Sequence, residues 1–193
     1  CVQPALAPDT NAAAARVLDR LGISLVEAPQ ARCCGALRYH LNFQERGLDD
    51  ARRLIDAWWP SIESGVEALV MTASGCGAMV KEYGHLLRND ARYADKAARV
   101  SAMTRDLAEV LAREAPALER LASRRGKATR VAFHAPCTLQ HGQQLPGVAE
   151  GVLRAAGFEL SPVADAHLCC GSAGTYSLLE PELSTRLRAN KLA

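Results

Sequence analysis

The sequence predicts an α/β protein built of two tandem, pseudo-repeated β-α units, with parallel sheets and cysteines at the carboxyl ends of the strands. Three observations carry that expectation. Six of the seven cysteines obey one shift of 136 positions, which takes Cys1 to Cys137, Cys33 to Cys169 and Cys34 to Cys170. Each doublet is followed by a glycine, Gly35 and Gly171. Between the cysteines, stripes of helical period alternate with short apolar runs suited to buried parallel strands.

Composition sets the outer limits. With 193 residues, 49% apolar and 23% charged, the chain is long enough to bury a core and ordinary for a globular protein. No apolar run approaches the roughly 18 residues of a membrane span, so integral insertion and disorder are excluded and at most peripheral membrane contact is expected. A net charge of +2 is too small for the one-sided field of nonspecific nucleic-acid binding. The cysteines are odd in number and clustered, behind no charged stretch leading into an apolar signal core. They read as a cytosolic thiol or metal function rather than a secreted disulfide framework.

Pro8-Asp9-Thr10-Asn11 offers N-cap chemistry, Ala14, Val17, Leu18 and Leu21 share one helical face, and Gly22 stops the helix. A strand over 23–28 is expected to run into Cys33. Leu48 to Trp59 is helical, with Trp58-Trp59-Pro60 packing at its end. Ala68 to Thr72 reads as a strand, Ser74-Gly75-Cys76-Gly77 as a turn, and Met79, Val80, Tyr83, Leu86 and Leu87 as a helical stripe. Met103, Leu107, Val110 and Leu111 mark a further helix that ends near Pro116. Arg124-Arg125-Gly126-Lys127 separates the units, 1–125 from 126–193. Unit two opens on the strand 130–133 before His134-Ala135-Pro136-Cys137, continues with a helix over 148–156 stopped by Gly157, and reaches Cys169 through a strand over 158–163.

Unit two starts on a strand that unit one lacks, and the counterpart of Cys76 would fall near position 212. The expectation is a portion of a longer protein, without the first strand of unit one and the last strand, turn and cysteine of unit two.

Loops beyond the carboxyl ends of parallel strands converge on a crevice, which would gather Cys1, Cys33, Cys34 and Cys76. Four thiolates suit Zn²⁺ or an iron–sulfur cluster. Neighbouring cysteines in extended chain point apart, which favours a cluster with several irons over one tetrahedral ion. A lone cysteine is usually a small buried hydrophobe. Other readings stay open: a phosphate cradle at Ser74-Gly75-Cys76-Gly77, a dinucleotide loop at Gly171-Ser172-Ala173-Gly174, a Cys137–His134 nucleophile, and His134, His141 or His167 as ligands or hydrogen-bond partners of a cluster sulfur. His40 and His85 read as ordinary surface or core residues.

The doubled C-x31-C-C-G resembles the cysteine-rich CCG domain pair of heterodisulfide reductase B-type subunits and of the iron–sulfur subunits of 2-hydroxy-acid and glycerol-3-phosphate dehydrogenases. Gly75-Cys76-Gly77-Ala78-Met79, His134 to His141 and Cys169 to Tyr176 look most like the iron–sulfur subunit of glycolate oxidase. The resemblance implies an electron-transfer subunit of a multisubunit oxidoreductase, carrying no catalytic residue of its own. Electrons would pass from an FAD-bearing partner towards a quinone pool, in the cytoplasm or peripherally at the inner membrane, and a ferredoxin-like module would lie N-terminal. It implies [4Fe–4S] ligands at Cys1, Cys33, Cys34 and Cys76 and at Cys137, Cys169 and Cys170. Ala73 stands where the family often has the first cysteine of a final C-x-x-C. A zinc-bound or metal-free assembly scaffold, and a catalytic subunit that cleaves a disulfide, are the alternatives.

Overall fold

The computed structural model describes residues 3, 6–123 and 128–192; Cys1 and the expected boundary at 124–127 lie outside the described residues. The first helix, α1 (Asp9–Arg20), buries Ala14 and Leu18, and Gly22 turns the chain at φ +78°, where a side chain would be strained. The expected side-chain cap does not form, because Pro8 occupies the N-cap and Asn11 is engaged elsewhere. Asn11 Oδ1 accepts from Thr72 Oγ1 at 2.7 Å, and Gln3 Nε2 donates to the same hydroxyl at 3.3 Å.

No strand forms over 23–28. In unit two, β3 (Thr129–Ala132) and β4 (Phe158–Ser161) pair in parallel with Thr129 opposite Phe158. Segment 23–28 finds no ladder partner among the described residues, and Leu25 and Val26 are 45% and 67% exposed.

Two helices carry the chain away from the first doublet, α2 (Ala36–His40) and α3 (Gln44–Glu63). The latter continues past the expected end at Trp59, through Pro60, for four residues. Its apolar face buries Leu54, Ile55 and Ile62. The sheet of unit one joins β1 (Leu69–Met71) to β2 (Thr104–Asp106) in parallel, with Leu69 opposite Thr104. The chain then forms α4 (Ser74–Lys81) and α5 (Tyr83–Leu86), so Ser74-Gly75-Cys76-Gly77 is the first turn of a helix rather than a loop.

The stripe expected to form one helix from Met103 to Leu111 is split by β2. Met103 ends α6 (Ala94–Met103) and Leu107 opens α7 (Leu107–Arg113). A capping box fixes the break: Asp106 accepts from the Ala108 N–H at 2.9 Å, and Glu109 accepts from the Asp106 N–H at 2.8 Å. Pro116, expected as a stop, lies in the first turn of α8 (Ala115–Ala122), where its missing N–H costs nothing.

After Cys137 a π-helical turn (Thr138–Gly142) leads to α9 (Val148–Ala155), and the chain closes with α10 (Tyr176–Leu179) and α11 (Pro181–Leu192). One core gathers Leu54, Ile55, Ile62, Val80, Tyr83 and Val100. A second joins Leu118 of α8 to Val152 and Ala155 of α9. The π-helical turn packs on α4: Ser74 Oγ and Thr138 Oγ1 are 2.7 Å apart, and Gln143 Nε2 donates to Ser74 O at 3.0 Å and Asp106 Oδ2 at 3.1 Å. Among the described residues no helix is long and apolar enough to cross a membrane.

Candidate metal centre

The doublet Cys33-Cys34 is held by the glycine behind it. Gly35 has φ +83°, and a Cβ there would lie 2.2 Å from the carbonyl oxygen of Gly47 on α3. The second unit repeats the arrangement: Gly171 has φ +77°, and its Cβ would lie 2.4 Å from the carbonyl oxygen of Ser184 on α11. Only glycine satisfies both the left-handed backbone and the close approach. In unit two Ser184 Oγ also donates to Gly171 O at 2.8 Å. In unit one Tyr83, fully buried, donates its hydroxyl to the Cys34 carbonyl at 2.8 Å and pins the loop to α5.

Cys76 follows Met71, the last residue of β1, by five positions, and Cys137 follows Ala132, the last of β3, by the same interval. Cys76 thus meets the first doublet from the carboxyl end of the sheet. Cys76 lies near enough to Cys34 for the two thiols to shift each other's protonation, and Cys33 adds a further sulfur neighbour. The bond from Cys76 draws the buried Cys34 thiol down to about 6 against the opposing effect of burial, with help from the Ala36 N–H. Cys76 moves the opposite way, held protonated by its bond to Cys34, by burial and by negative charge on the neighbouring sulfurs. Burial, then the nearby sulfur charge, also pushes Tyr83 up. The pair is one thiolate accepting from one thiol, a soft donor set that fits a thiophilic metal or a cluster. Among the described residues no group of three or more His, Cys, Asp and Glu closes around a single ion.

Unit two is more open. Cys137 and Cys169 are exposed and Cys170 half-buried. No hydrogen bond joins Cys137 to either member of the doublet; the Gly171 N–H instead donates to Cys169 Sγ at 3.4 Å.

The other candidates are placed as follows. His134 Nε2 lies 3.0 Å from Ala166 O and is not bonded to Cys137, so a Cys137–His134 nucleophile is not assembled. His85 contacts Arg88, and His40 stands edge-on to Tyr39. The Ser74 hydroxyl is engaged by Thr138, and Gly77 packs on Gln143, whose Nε2 would lie 2.7 Å from a Cβ there. Gly171 is likewise pressed onto α11 instead of facing a dinucleotide. Sequence reasoning missed Tyr83 as an anchor of the doublet, and Gln143.

The family model for the cysteine-rich domain, CCG, matches residues 1–81 and 131–193. The chain is 62% identical over 192 residues to the glycolate oxidase iron-sulfur subunit of Escherichia coli (strain K12), covering all of this chain and 46% of that protein. It is 29% identical to a probable glycolate oxidase iron-sulfur subunit of Bacillus subtilis (strain 168), covering 43% of it. It is 30% identical to lactate utilization protein A of Geobacillus thermodenitrificans (strain NG80-2), covering 93% of this chain and 72% of that protein. The chain spans less than half the length of the first two of these relatives.

Proposed function

Since the chain belongs to the cysteine-rich CCG domain family, we propose that it is the CCG-pair portion of an iron–sulfur electron-transfer subunit in a flavin-linked glycolate or 2-hydroxy-acid oxidase. The observation that carries this reading is the Cys34–Cys76 sulfur contact with Cys33 beside it. The pair comes from a glycine-backed loop and from the first turn of a helix that follows a parallel strand. The two units are 1–125 and 126–193. Cys33, Cys34 and Cys76, with Cys1, are the ligands of a [4Fe–4S]-type cluster in unit one; Cys137, Cys169 and Cys170 belong to the second set.

A cluster so held supplies one-electron transfer at a potential set by thiolate number, hydrogen bonding and burial. The chain's own residues set those terms. Gly35 brings the loop against α3, Tyr83 fixes the Cys34 peptide, and the Cys76 thiol keeps Cys34 ready as a thiolate. The hydroxy acid and its FAD reside on a partner subunit, and a ferredoxin-like module and a quinone acceptor complete the path. The 62% identity to a glycolate oxidase iron-sulfur subunit supports glycolate over other hydroxy acids.

Anaerobic reconstitution, followed by iron, sulfide and zinc analysis with EPR, tests the reading. Iron with stoichiometric sulfide and a cluster signal is expected. Zinc alone would replace it with an assembly scaffold, and turnover of a small disulfide would make the chain catalytic.

A further inference from the structure

Arg32, Cys33, Leu37, Arg38, Asp50 and Arg53 line a half-open cavity of about 490 Å³ beside the first doublet. Three guanidinium groups stand around one carboxylate, and two of them bond to it. Arg38 Nη1 donates to both oxygens of Asp50 at 2.8 Å, and Arg53 reaches only Oδ1, at 3.3 Å. Arg32 donates to the carbonyls of Pro29 and Ala31, which are neutral. One negative charge offsets one positive, so the rim retains two uncompensated cations at any pH near neutrality, because arginine does not deprotonate there. Arg53 is 71% exposed at its side chain and Asp50 only 11%, which orders them as a movable arm over a fixed base.

The wall between the charges is apolar. Leu37 and the Cys33 side chain contribute, with the aliphatic stems of the arginines. The loop of the second doublet reaches the same place, since a Cβ at Gly174 would lie 3.6 Å from Leu37 Cδ2. The volume falls among those of sites for organic ligands and exceeds what an inorganic oxyanion fills.

We propose that this cavity is a binding site for an organic anion, with an apolar body against Leu37 and an anionic head gripped by Arg32 and Arg53. Arg38 is the positioning residue, locked by Asp50. A half-open hollow of this volume fits a small molecule better than the acidic surface of a protein. The assignment goes beyond the electron-transfer reading and rests on the arginines and Leu37.

The test is isothermal titration of the full-length protein with naphthalene-2-carboxylate and with its neutral amide. The carboxylate should bind once per chain and at least about tenfold tighter than the amide, and the difference should shrink in high salt. Arg53→Gln, at an exposed position where folding is safe, should weaken the carboxylate by about tenfold and leave the amide unchanged. Leu37→Trp, which fills the hollow, should weaken both. Equal affinity for acid and amide, or an unaltered carboxylate isotherm in both variants, would overturn the proposal. So would displacement of the probe by a Glu-rich peptide with no competition from small acids, which would assign the rim to a protein partner.

Discussion

The α-carbon of Gly35 faces the backbone carbonyl of Gly47 so closely that a methyl group on it would sit 2.2 Å from that oxygen. The contact locks the first cysteine doublet to helix α3, and Gly171 with Ser184 reproduces it in the second unit. The duplication visible in the cysteines therefore extends to the way each doublet is braced.

That contact separates two costs. Gly35→Ala carries both the left-handed strain and a displacement of α3, and should lose more than about 2 kcal/mol. Gly22→Ala has φ +78° but nothing within 4 Å, so only the strain of about 1 kcal/mol remains. Urea unfolding of the two variants measures the difference; equal losses would show that the Gly47 contact is unimportant.

The junction of the units depends on Gln143, buried between α4 and β2. Truncation in Gln143→Ala leaves Ser74 O and Asp106 Oδ2 without their donor, and should cost roughly 1–3 kcal/mol. The same unfolding experiment reads it, and a variant as stable as the parent would mean that the interface does not rest on this side chain.

Glu109 provides a pH dependence. Burial opposes its ionisation, but the bond from Lys81 and the Asp106 N–H hold its carboxyl below the usual range. A carboxyl depressed in the folded state contributes stability that is fully present above its unfolded value, near 4.5, and is lost as pH falls through the folded one. The gap in melting temperature between the parent and Glu109→Gln should be open at pH 7, begin to narrow only below 4.5, and close as the pH falls through the lower folded value. A gap that stays constant across that range would contradict the assignment.

What the sequence revealed and what it hid have separate physical causes. The doublets, their glycines and β1, β3 and β4 were legible because cysteine spacing and apolar runs are local signals. The strand β2 was not, because it has three residues, two of them the buried polar Thr104 and Asp106, inside what reads as one helical stripe. Gly75 and Gly77 suggested a loop, yet α4 starts there because packing against the π-helical turn and Gln143 outweighs the weak helix preference of glycine. Segment 23–28 has strand-like residues and no partner among the described residues, and ladder hydrogen bonds cannot be read from one strand alone. The approach of Cys76 to Cys34, across 42 positions, was expected from the turn that follows β1, a strand the apolar run at 68–72 made legible.

The most direct test compares the iron and acid-labile sulfide bound by the parent and by Cys76→Ser after anaerobic reconstitution, with circular dichroism to establish folding. If the sulfur contact between Cys34 and Cys76 is the heart of a cluster site, the variant stays folded and loses the metal of the first unit. Retention of the full iron and sulfide content in the folded variant would contradict it.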